Sequence, residues 1–90
     1  MENFEVKILM QEAFHKILPG MDFEALDLSL PLRGHIGIDE LDLQRVINRT
    51  AKRAGVTSFD PLAPEFRNLN DIIYFISGQP GEHLFQVPNI

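Results

Sequence analysis

Residues 37–49 read GIDELDLQRVINR, and the way this stretch opens a helix decides the architecture. Asp39 is a good N-cap, its partner three residues on is Asp42, and the pair resembles a capping box built with a shorter acid. Glu40 joins them in the first turn, where the positive end of the helix macrodipole favours acids. Leu41, Leu43, Val46, Ile47, Thr50, Ala51 and Ala54 are then expected to supply the buried side, and Gly55 ends the helix.

Upstream, residues 19–38 hold Pro19, Gly20, Pro31, Gly34 and Gly37 among leucines. That stretch is too broken for a long helix and too apolar for a free linker. It predicts a long structured loop whose Phe23, Leu26, Leu28, Leu30, Leu32 and Ile36 pack on the core. Before it, Phe4, Val6, Ile8, Leu9, Ala13, Phe14, Ile17 and Leu18 form a broad helical stripe over residues 3–18, closed by Pro19-Gly20.

Downstream, Asp60-Pro61 predicts a short helical turn over DPLAPEF, cut off by Pro64. Asn68 with Asp71 opens a last helix that Gly78 closes. Its Leu69, Ile72, Ile73, Phe75 and Ile76 run nearly all round the circumference, so this helix should be the most enclosed. No alternating strand pattern and no internal repeat is visible. The expected architecture is all-α: three main helices plus one short one, with a long structured loop between the first and second.

Ninety residues with 44% apolar content suit one domain, assigned to residues 1–78, with residues 79–90 as a loose tail on which Leu84 and Phe85 could rest against the bundle. Without cysteine there is no disulfide framework, thiolate zinc site or cysteine nucleophile. The opening MENFEVKILMQEAF has no basic leader ahead of a long apolar core, and no stretch is long enough to cross a bilayer; a cytoplasmic protein with no membrane partner is expected.

The net charge of −5 is unevenly spread. Residues 1–38 carry a net of −3, whereas residues 39–53 set Arg45, Arg49, Lys52 and Arg53 against Asp39, Glu40 and Asp42.

This layout resembles the acyl and peptidyl carrier proteins. The likeness is carried by Gly37-Ile38-Asp39-Glu40-Leu41, which stands where that family has Gly-x-Asp-Ser-Leu at the start of its second helix, and by the apolar spacing of FRNLNDIIYFI, residues 66–76. It spans residues 4–77, with Gly37, Asp39 and Leu41 as its specific anchor. In typical members the serine bears a 4′-phosphopantetheine arm ending in the thiol that holds the cargo. Here that position is Glu40. A hydroxyl attacks a phosphate of coenzyme A to form a stable ester, whereas a carboxylate would yield an acyl phosphate prone to hydrolysis. The attachment role is therefore not carried over to Glu40, and no cofactor is expected. Ser29, Ser58, Ser77 and the mid-helix Thr50 all lack the Asp-x-Leu helix-start setting.

Glu40 has two readings: a favourable first-turn acid contributing about 0.3–1 kcal/mol, or a charge that imitates the phosphate-bearing serine and keeps a partner engaged without cargo. A second departure from the family is the basic character of the second helix. Arg45, Arg49 and Arg53 are spaced i, i+4, i+8, and with Lys52 they are candidates for docking an acidic surface on a protein partner. Partners that read an acidic helix should be repelled.

Other chemistries find less support. A chain of net −5 without aromatics interleaved among the cations is a poor nucleic-acid binder. His15, His35 and His83 are scattered and suggest no metal site. There is no Gly-x-Ser-x-Gly and no phosphate-cradling glycine loop, so no enzyme is expected. Two functions remain in view: a carrier-like domain that has lost its attachment serine and acts as a scaffold, regulator or decoy in fatty acid, polyketide or peptide assembly, or a working carrier using an unorthodox attachment residue or noncovalent acyl binding.

Overall fold

The computed structural model describes residues 1–33, 37–56, 60–61 and 63–78. His35, Ile36, Ser58, Phe59, His83 and the expected tail over 79–90 lie outside the described residues. The described chain is all-helical: α1 Asn3–Ile17, α2 Glu40–Arg53 and α3 Leu69–Ser77, with a 3-10 turn, Phe23–Ala25, in the loop after α1.

Each helix is bounded by local chemistry that the sequence carries. The backbone N–H of Glu2 donates to the Glu5 carboxylate at 2.8 Å, satisfying an amide just ahead of α1. The Asn68 side chain accepts from the Asp71 amide at 2.8 Å, while the Asp71 carboxylate takes the Arg67 amide at 2.9 Å. At the other end of α2 the Gly55 amide bonds to Lys52 O at 3.1 Å and the Val56 amide to Ala51 O at 2.8 Å. That double bond pattern requires a left-handed residue just past the helix, and Gly55 takes it with φ +84°.

The core gathers around α1. Val6, Met10, Ala13 and Phe14 are completely buried along one side of it, and both α2 and α3 pack there. Leu43, Val46, Ile47, Ala51 and Ala54 come from α2, and Leu69, Ile72, Ile73 and Ile76 from α3. Thr50, also fully buried, satisfies its hydroxyl within its own helix by donating to Val46 O at 2.9 Å.

The loop before α2 is built into this core much as its composition predicts, except that Leu30 is half-buried outside the core cluster. Leu32 is buried, Phe23, Leu26 and Leu28 are half-buried against the core, and the Phe23 ring lies 5.2 Å from that of Phe14. Two backbone bonds tie the loop to the entry of α3: Leu32 N donates to Arg67 O at 2.9 Å and Asn70 N to Leu28 O at 3.2 Å.

Three expectations need correction. Phe4 and Ile8, read as part of one buried stripe, are 62% and 50% exposed. They stand two residues either side of Val6, and two residues turn a helix by about 200°, so they emerge on the side opposite the core. The last helix is the most enclosed of the three, as expected, and Tyr74 is its one exposed residue. Where a short fourth helix was expected, the described residues make successive turns instead: Ala63 N bonds to Asp60 O at 3.1 Å and Phe66 N to Ala63 O at 3.0 Å. Pro64, which has no N–H to extend a helical ladder, stands between them. Asp42 pairs with Arg45 at 3.5 Å, while Asp39 caps α2 through its own carboxylate.

Replacing Phe14 by alanine should cost about 3–5 kcal/mol in denaturant unfolding, whereas Phe4→Ala should shift stability by no more than about 0.5 kcal/mol. Equal losses at the two positions would contradict this assignment of the inner and outer sides of α1.

Candidate functional site

The start of α2 is a short exposed platform. Gly37 enters it with φ +76°, and a side chain there would meet nothing within 4 Å, so backbone conformation rather than space selects glycine. Asp39 in extended conformation follows, and its carboxylate accepts the Leu41 amide at 3.2 Å. Glu40 is the first helical residue and is exposed.

Leu41 was expected on the buried side; it is 67% exposed. Leu43 occupies the core position, and two residues of helix separate the pair by about 200°. Plotting the apolar residues of α2 around a wheel separates Leu41 from Leu43, Val46, Ile47, Thr50, Ala51 and Ala54; counting them along the chain does not. The exposed leucine is the residue of this site that linear reading missed.

The four cations of α2 prove unlike one another. Arg45 leans back onto Asp42 at 3.5 Å, a pair open to solvent. The Arg53 guanidinium reaches across to the Glu12 carboxylate of α1 at 2.5 Å, so it bridges two helices. Arg49 is half-buried and its Nε is enclosed without a hydrogen-bond acceptor. Lys52 is exposed. The i, i+4, i+8 row therefore does not form one free basic face. Each four-residue step advances about 40° round the helix, so by Arg53 the row has swung to where α1 can meet it. Leu41, Arg45, Asn48 and Lys52, spaced by four, three and four, follow the outward line more closely, with Arg49 on its flank.

No family model matches this chain, and no curated protein or solved structure matches it.

Where a carrier protein would need a hydroxyl, the head of α2 has the Glu40 carboxylate, and the serine and threonine hydroxyls among the described residues are engaged elsewhere. Ser29 Oγ donates to Asp27 Oδ1 at 2.6 Å in the loop, and Thr50 is sealed inside α2. Ser77 Oγ lies against Asn3 Oδ1 and within 3.0 Å of Tyr74 O. The residues at the start of α2 do not fit a phosphopantetheine arm. Among the described residues no group of three His, Cys, Asp or Glu side chains is arranged to hold a metal, and His15 stands exposed on α1. No described helix is long and apolar enough to cross a membrane.

An open groove of about 370 Å³ runs between α1 and the loop, bounded by Ile8, Phe23, Leu26 and Leu28 with Lys7 at its rim. Neither Glu40 nor any cation of α2 borders it. Asp27, beside this loop, is held below the usual carboxylate range by the Ser29 hydroxyl, with help from the Ser29 amide.

Removing the cap by Asp39→Ala should cost about 1 kcal/mol in denaturant unfolding, with Gly37 and the rest of α2 unchanged. Lowered in the folded chain, the Asp27 pKa contributes stability at neutral pH that is lost as pH falls through the lowered value. Ser29→Ala should raise the Asp27 titration toward the ordinary range when its carboxyl carbon is followed by NMR; an unmoved titration would reject the hydroxyl as the cause.

Proposed function

We propose that this chain is an interaction module of the carrier-protein type that bears no arm, and that it docks a protein partner through the outward side of α2. The observation that carries the reading is Leu41, a large apolar side chain left 67% exposed at the head of the helix that presents Arg45, Arg49 and Lys52. An exposed leucine beside cations makes a small amphipathic contact: the leucine would fill an apolar pocket and the cations would meet an acidic rim. Arg49 and Lys52 have no intramolecular ion pair among the described residues, so carboxylates of a partner would compete with solvent alone for them. Such charges act chiefly on encounter rate and partner choice, and they repel surfaces built for an acidic helix.

The resemblance at Gly37, Asp39 and Leu41 directs the search for that partner to the enzymes of fatty acid, polyketide or peptide assembly. Glu40 then leaves a helix start with the carrier-like Gly-x-Asp-x-Leu pattern and no nucleophile, suited to occupying a docking site without delivering cargo. Scaffold, regulator and decoy share that physical basis.

Intact mass after incubation with coenzyme A and a broad-specificity phosphopantetheinyl transferase tests the reading. The native chain should remain unmodified, while Glu40→Ser should gain one arm. An arm on the native chain would overturn the loss of loading, and peptide mapping would then identify its true site. For the docking surface, Leu41→Ala and a paired Arg49→Glu, Lys52→Glu variant should each weaken capture of a synthase or ligase from such a pathway by about tenfold or more, without change in the melting temperature. Binding that ignores both variants would remove this side of α2 from the function.

A further inference from the structure

α1 carries a second apolar line that the bundle does not use. Met1, Phe4 and Ile8 are 39%, 62% and 50% exposed, and Gln11 and His15, also exposed, continue the same line. Their spacing is three, four, three, four, the repeat of a coiled-coil seam, and it lies opposite the core residues Val6, Met10, Ala13 and Phe14. On a helix already anchored by one apolar side, two large apolar residues one turn apart on the other need a physical account.

The charges beside the seam indicate what would cover it. With Phe4 and Gln11 at d positions, Ile8 and His15 at a positions, and Met1 just ahead of the helix, Lys7 takes a g position and Glu12 the e position five residues on. In a parallel two-stranded seam, a g residue of one helix meets the e residue of the following heptad on the other, which here joins opposite charges. An antiparallel pairing would set Lys7 near Lys7 and Glu12 near Glu12. Lys7 has no partner among the described residues, and Arg53 engages only Oε1 of Glu12. A surface that supplies both members of its own ion pair is complementary to a second copy of itself.

We propose that the outward side of α1 is a self-association surface, on which two copies of this chain pair in parallel along Met1, Phe4, Ile8, Gln11 and His15, with Lys7 of each facing Glu12 of the other. The seam is short, two of its five positions are polar, and each chain has a net charge of −5, so the dimer is a weak one that dissociates on dilution. This surface is separate from the outward side of α2, and its test is independent of that docking proposal.

The chain contains no cysteine, so single thiols report contacts cleanly. Gln11→Cys places one at the seam, and Asn48→Cys places one on the outward side of α2 as a control. Under mild oxidation at the same protein concentration, Gln11→Cys should form the disulfide-linked dimer roughly tenfold faster than Asn48→Cys. Adding Ile8→Glu should erase that difference while leaving the circular dichroism and melting temperature unchanged, because Ile8 stands outside the core. Sedimentation of the native chain should pass from monomer toward dimer between about 10 µM and about 1 mM. A native chain that stays monomeric throughout, a Gln11 thiol that links no faster than the control, or a dimer that survives Ile8→Glu would each overturn the proposal.

Discussion

Everything in this bundle depends on one side of α1. Val6, Met10, Ala13 and Phe14 form the surface on which both other helices come to rest. A nine-residue helix such as α3 has too few internal hydrogen bonds to repay its own nucleation, and its helicity comes from burying Leu69, Ile72, Ile73 and Ile76. With no cysteine to constrain the unfolded chain, this single core has to offset the conformational entropy of the chain by packing.

The loop between α1 and α2 extends that core. Its broken, leucine-rich sequence would be hard to understand as a tether, but Leu32 is buried and the ring of Phe23 lies against Phe14. The backbone bonds from Leu32 to Arg67 and from Asn70 to Leu28 clamp the part of the loop around residues 28–32 to the entry of α3. At its C-terminal end α2 is fastened by the Gly55 turn and by the reach of Arg53 to Glu12. A helix secured along its inner side and at its C-terminal end presents its outward residues in a fixed arrangement.

The same geometry divides residues that look equivalent in one dimension. Arg45, Arg49 and Arg53 share a spacing, yet one folds onto Asp42, one is half-enclosed, and one is spent on holding α1. Leu41 and Leu43 share a side chain, yet one is at the surface and the other in the core. Partner contacts drawn from charge counts alone would have included Arg53, whose structural bond sets it apart from Lys52.

Much of the fold was legible in the chain. Asp39 and Asn68 cap helices, Gly55 ends one with a left-handed residue, and prolines interrupt the connections, because these effects depend on groups within a few residues of each other. That the head of α2 carries a carboxylate and no hydroxyl was equally legible, since it is a matter of which atoms Glu40 carries. Which apolar residues are inside was a different question. Val6 is buried while Phe4 and Ile8 are not, and Leu43 is buried while Leu41 is not: helical rotation sets these residues on opposite sides, and where the neighbouring helices sit decides which side is inside. The pairing of Arg53 with Glu12, 41 residues apart, likewise exists only once α1 and α2 are packed. The sequence by itself determined where the helices begin and end and what chemistry the head of α2 lacks; only the tertiary structure decided which side chains remained outside to meet another molecule.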